Sequence, residues 1–185
     1  MRLFVSIDLP ERFADAVADL QREFAAADGL RFTDPAQAHV TLKFLGDVDD
    51  DCTEEVTAAV AEGVEAAGVE PFEATYGGLG VFPDLDYIRV LWLDVRDGGE
   101  RMTALHEAVE EATVSRGFEP EDHEFTPHVT LARMEHADGK ELVQETVRTL
   151  DPEIGTATVE EIRLKESHLR SDGPVYETVE RVSLG

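Results

Sequence analysis

The stretch His39-Val40-Thr41-Leu42 occurs twice, returning 89 residues later as His128-Val129-Thr130-Leu131 in a chain of 185. The approaches match as well: Phe32-Thr33-Asp34-Pro35 leads towards the first copy and Phe125-Thr126-Pro127 into the second. A repeat offset by close to half the chain points to two related lobes. Along a strand, residues i and i+2 share a face. His39 and Thr41 therefore project together, while Val40, Leu42 and Phe44 are expected to point oppositely, into a core. His128 and Thr130 repeat the pattern against Val129 and Leu131. If a pseudo-twofold relates the lobes, both His-x-Thr faces line one central cleft.

Outward from the repeat, strands and helices alternate. Residues 2–8 read as a strand and 11–27 as an amphipathic helix with Phe13, Val17, Leu20 and Phe24 at helical spacing. Residues 38–45 form the strand of the first motif, and 51–67 a helix carrying Val56, Val60 and Val64. Strands over 70–82 and 87–95 are joined by a turn at Pro83-Asp84-Leu85-Asp86. A helix follows over 99–116, then the second motif's strand at 128–133, a short helix at 138–149, and closing strands at 155–168 and 175–183. No low-complexity tract or Pro/Gly/Ser-rich linker interrupts the chain, so residues 1–185 read as one unit.

Composition narrows the class. A 42% hydrophobic content supports a packed core and excludes wholesale disorder. No apolar run approaches the roughly 18 residues of a membrane span, and the start reads as a strand rather than a secretory leader. The single cysteine, Cys52, forms neither an internal disulfide nor a Cys-rich zinc site. A cytoplasmic protein is expected, with no membrane partner.

The charge is extreme: 41 acidic against 16 basic residues, a net of −25. Thirteen of the basic residues are arginine, and only Lys43, Lys140 and Lys165 are lysine. Such a field would ordinarily repel nucleic acid. The acids, however, are spread over every segment, the pattern of a surface adapted to high salt. At molar salt the Debye length is only about 3 Å, so a local cationic pocket still binds phosphate. A halophilic protein is therefore expected.

Two imidazoles around a reacting phosphorus suit acid–base phosphoester chemistry. One neutral ring takes a proton from water while an imidazolium gives one to the leaving oxygen. Histidine fits both tasks because its pKa of about 6.5 lets both forms coexist near neutrality. The threonine hydroxyls can hydrogen-bond non-bridging oxygens. A metal site is disfavoured, because no His-x-x-x-His or acidic triad accompanies either copy. His106, His123 and His136 are expected to be solvated, and His168 lies near a further suggestive segment.

Taken with their flanks, these motifs resemble the two-histidine phosphoesterase superfamily, and within it the RNA 2′,3′-cyclic phosphodiesterase (LigT-like 2′-5′ RNA ligase) family. Arg2-Leu3-Phe4-Val5-Ser6-Ile7 is similar to that family's opening strand. His39 to Gly46 resembles its first motif, Phe125 to Arg133 its second, and Arg89-Val90-Leu91-Trp92 the strand between. Ser167-His168-Leu169 with Gly173-Pro174-Val175-Tyr176 resembles its closing segment. The resemblance covers nearly the whole chain.

It implies an α+β fold of two pseudo-symmetric lobes, each with an antiparallel sheet and helices, and an active-site cleft between them. It also implies metal-independent, cofactor-free hydrolysis of RNA 2′,3′-cyclic phosphate ends to 2′-phosphomonoesters, by a monomer acting on ends such as tRNA fragments. By resemblance His39 is the proton donor, His128 the proton acceptor, and Thr41, Thr130 and Arg133 hold the phosphate; local sequence does not say which histidine is which. Strict alternation puts Arg133 on the face opposite His128, so its role requires a bulge or the strand's end. Arg89 stays outside the catalytic set, and Tyr176 reads as packing or cleft wall. The alternatives are a 2′-5′ ligase joining such an end to a 5′-hydroxyl, a non-catalytic module that binds RNA ends, and a small-nucleotide phosphodiesterase.

Overall fold

A computed structural model describes residues 1–185. In chain order the elements are β1 (Arg2–Asp8), α1 (Ala14–Arg22), β2 (Leu30–Phe32), β3 (His39–Asp47), α2 (Thr53–Ala67), β4 (Phe72–Pro83), β5 (Ile88–Asp97), α3 (Gly99–Val114), β6 (His128–Met134), α4 (Lys140–Thr149), β7 (Glu153–Val159), β8 (Glu161–Arg170) and β9 (Gly173–Ser183). No helix is long and apolar enough to cross a membrane. The α+β class implied by the resemblance is what the chain adopts.

The lobes do not each own a sheet. All nine strands form one antiparallel sheet in the order β7-β4-β5-β6-β3-β1-β8-β9, with β2 paired to β6. The halves meet where β3 lies beside β6, through a single registered pair, Val40 with Val129. That narrow seam is why a repeat in sequence suggests separate sheets. The core is undivided too: one buried cluster takes in Leu3 and Ile162 from one half and Leu91 and Val143 from the other.

Helices cover one face of this sheet. Helix α1 reaches the β6 half, where Gln21 donates to the Leu131 carbonyl at 3.1 Å and Phe13 meets Tyr76 edge-on. On the other half α2 and α3 pack closely enough that a Cβ on Gly63 would lie 2.9 Å from the Val109 backbone. Helix α1 is shorter than its periodicity predicts. From Glu23 onward amides bond carbonyls three residues back, so the last turns tighten before the chain leaves for β2. The strand expected over 155–168 breaks at Glu160 into β7 and β8, which pair in different halves, with β4 and β1 respectively. Periodicity does not register a change of partner without a glycine or proline to mark it.

Each lysine is tied internally. Lys43 is 1% exposed and bonds Glu110 and the Glu119 carbonyl. Lys165 is 5% exposed and bonds Asp8, and Lys140 donates to the Asp86 carbonyl.

Candidate functional site

The antiparallel pair Val40–Val129 sets the two motifs side by side in opposite directions. Each histidine then lies across from the other copy's threonine, His39 by Thr130 and His128 by Thr41. All four are half-buried on the face away from the helices. The histidines are diagonal neighbours, a relation that in a regular ladder spans about 7–8 Å. That is room for a phosphate group.

The same device orients both rings. His39 Nδ1 lies 2.8 Å from the Gln37 carbonyl and His128 Nδ1 2.6 Å from the Thr126 carbonyl, each two residues back. A carbonyl only accepts, so both Nδ1 atoms carry the proton and both Nε2 atoms are left for chemistry. Aromatic rings bracket each imidazole. Phe4 and Tyr176 sit 5.3 and 5.2 Å from His39, and Phe82 and Trp92 sit 4.9 and 5.8 Å from His128. Burial in these surroundings pushes both imidazoles below the usual histidine range, partly offset by the carbonyl bonds. Lys165 lowers His39 further and Arg133 does the same to His128.

Twin irregularities bring a third residue of each motif to this face. Opposite β1, Val5 pairs with Lys43 and Ser6 with Thr41, leaving Leu42 extra; opposite β5, Leu91 pairs with Ala132 and Trp92 with Thr130, leaving Leu131 extra. Consecutive buried residues, Leu42-Lys43 and Leu131-Ala132, mark both bulges. Beyond them the alternation is reset. Arg133 therefore joins His128 and Thr130, as the phosphate role expected of it requires. Its neighbour across the ladder, Arg31, engages Glu135, which leaves the Arg133 guanidinium open. By the same reset Phe44 comes to the His39 face and is 61% exposed, not in the core as alternation predicted.

The flanking strands repeat the layout. Asp8 pairs in register with His39 and Asp94 with His128; Ser6 pairs with Thr41 and Trp92 with Thr130. The two carboxylates then differ. Asp8 accepts from Lys165 Nζ at 3.0 and 2.8 Å, Arg163 at 3.0 Å and the Ser6 hydroxyl at 2.8 Å. Burial alone would raise Asp8, but these bonds and charges hold it below the ordinary carboxylate range. Asp94 accepts the Val95 amide.

Sequence reasoning missed Asp8, Asp94 and Lys165. Alternation along Phe4-x-Ser6-x-Asp8 marks a polar position, yet nothing local says that β1 lies beside β3. His106 is not solvated as expected: it is 8% exposed, stacked 4.2 Å from Phe125, with Nδ1 2.7 Å from the Leu42 carbonyl. His123 and His136 are exposed. Arg89 lies over the Tyr87 ring, 5.2 Å from its centroid. Glu166, His168 and Glu177 cluster within 4.8 Å of one another, on the β8 face opposite Lys165 and so outside the cleft.

Comparison with known proteins identifies the family and the fold. The profile of the 2′-5′ RNA ligase superfamily matches residues 9–169. An RNA 2′,3′-cyclic phosphodiesterase of Methanothermobacter thermautotrophicus is 35% identical over 182 residues, 97% of either chain. One of Aeropyrum pernix is 39% identical over 145 residues, 78% of this chain and 80% of that protein. A crystal structure from Thermus thermophilus superposes with a TM-score of 0.81 at 29% identity, covering 100% of this chain and 98% of that one. Escherichia coli LigT complexed with 3′-AMP shares the fold, with a TM-score of 0.80 at 22% identity over 99% and 97% of the chains. The chain belongs to the 2′-5′ RNA ligase superfamily.

Proposed function

We propose that this member of the 2′-5′ RNA ligase superfamily is an RNA 2′,3′-cyclic phosphodiesterase that opens terminal cyclic phosphates to 2′-phosphomonoesters without a metal. The observation that carries the reading is the paired array of two imidazoles, both tied through Nδ1 and both presenting Nε2 on one face. Curated relatives matching nearly the whole chain carry the same activity in their names.

His128 Nε2 takes a proton from water as the water oxygen bonds phosphorus. The bond from phosphorus to the 3′ oxygen breaks, and His39 gives that oxygen its proton. Thr41 and Thr130 hydrogen-bond the non-bridging oxygens, and Arg133 balances their charge. Asp8 and Asp94 stand beside the two histidines and favour their charged forms. The exposed Phe44 ring offers a stacking surface for the terminal base. Phe44→Ala is expected to raise KM for cyclic nucleotides by about 5–150-fold with kcat little changed, base–aromatic stacking being worth about 1–3 kcal/mol.

The protein is read as a cytoplasmic monomer suited to high salt. Its acids are dispersed, while two of its three lysines, Lys43 and Lys165, are buried in internal bonds. The direct test is incubation with a 2′,3′-cyclic mononucleotide and with a cyclic-phosphate-ended oligonucleotide, at high salt and in excess chelator. A 2′-phosphate product is expected in both, with the rate unchanged by chelator, since the imidazoles and Arg133 supply what a cation would. A 3′-phosphate product, no turnover, or turnover restored only by zinc or manganese overturns the reading. With a 5′-hydroxyl oligonucleotide also present hydrolysis should still dominate, water being at about 55 M.

A further inference from the structure

The two halves of the site share their His-x-Thr pair and the aspartate beside each histidine, but the two carboxylates have different partners. Asp8 and Asp94 occupy equivalent places beside the two histidines, yet only Asp8 is clamped by cations, the buried Lys165 and the half-buried Arg163. Lys165 is the closer of these. Its ammonium grips both Asp8 oxygens and lies 5.8 Å from the Phe4 centroid and 5.4 Å from that of Tyr176, the two rings that also bracket His39. Imidazole and ammonium are thus walled into one compartment. A lysine only 5% exposed is costly to bury and needs a compensating role or partner.

We propose that Lys165 is a positioning residue for His39: held by Asp8, its charge keeps the imidazole unprotonated until a phosphate anion occupies the cleft, so that proton and substrate enter together. The groups facing His39 are Asp8 from β1, His128 from β6, Lys165 and, behind Asp8, Arg163 from β8, and the Tyr176 phenol from β9, which itself feels Arg2 and Arg133. Of these Lys165 is the buried cation, and burial, Lys165 and His128 all act in the same direction on the ring. An arriving phosphodiester brings a full negative charge against this. His39 then takes up a proton, which is the one it delivers to the leaving 3′ oxygen. The inference deepens the proton-donor role proposed above and rests on it only for that last step.

The experiment is a pH titration of both histidines by 15N NMR, which distinguishes neutral from charged imidazole and needs no turnover. In the unmodified protein His39 should be neutral at pH 7 and become charged on saturation with inorganic phosphate. Lys165→Gln keeps a donor for Asp8 and removes the charge. It should raise the His39 midpoint, because a cation that opposes protonation is gone, and leave His128 in place. Lys165→Arg should restore the original midpoint. A His39 already charged at pH 7 without phosphate, or the same midpoint in folded Lys165→Gln as in the parent, overturns the proposal; the first result needs no variant to fold. If the protein fails to hydrolyse cyclic phosphates while His39 titrates as described, the functional reading fails and the role of Lys165 stands.

Discussion

Replacing either His39 or His128 with alanine is expected to lower turnover on a 2′,3′-cyclic nucleotide by roughly 10²–10⁴-fold, the usual worth of one general acid or base. The double variant should fall well short of the product of the two losses, because both groups act on one transition state. Substrate binding should weaken far less, since Thr41, Thr130 and Arg133 still hold the phosphate. The pH–rate profile of the parent should be bell-shaped. Its acid limb reports His128, which must be neutral to accept a proton and which burial displaces below the usual histidine range. Its alkaline limb reports His39, which must be charged to donate one. Because His39 is also displaced downward in the free protein, that limb should lie at higher pH for kcat, which reports the complex, than for kcat/KM, which reports the free protein. A folded single-histidine variant that keeps near-full turnover would exclude the paired mechanism.

The largest effect on stability is expected from Glu110→Ala. Lys43 sits in the β3 bulge between Thr41 and Phe44, 1% exposed, with its ammonium 2.9 Å from Glu110. Removing the carboxylate leaves that charge buried with only the Glu119 carbonyl, a loss of about 3–5 kcal/mol. Chemical denaturation should show this directly, and a melting temperature lower by on the order of 10 °C should accompany it. Lys43→Met should cost less, because Glu110 Oε1 still accepts the Glu121 amide and the Glu110 side chain is less deeply buried than Lys43, 19% against 1% exposed. A Glu110→Ala protein as stable as the parent would mean that Lys43 finds another partner or reaches solvent. Because the bulge it anchors carries the first motif, activity should fall with stability in the same variant.

The repeated His-x-Thr, read with its flanks, marked the four polar side chains of the candidate site and carried the resemblance that implies the α+β class, while alternation and helical spacing located most of the elements. These are local properties. A strand's alternation shows in its own residues, and a helix's face in its own spacing. The strand pairing behind the rest is written across long separations. That β1 lies beside β3 and β5 beside β6 places Asp8 and Asp94 next to the histidines, and that β8 returns beside β1 brings Lys165 to Asp8 from 157 residues away. The two bulges exist only relative to a partner strand, so alternation from His39 misplaced Phe44 and left Arg133 in need of one. The undivided sheet is decided at a seam one residue pair wide. Sequence periodicity determined which residues are polar neighbours along a strand; tertiary contact decided which strand each one faces, because register and burial arise only when distant segments pack together.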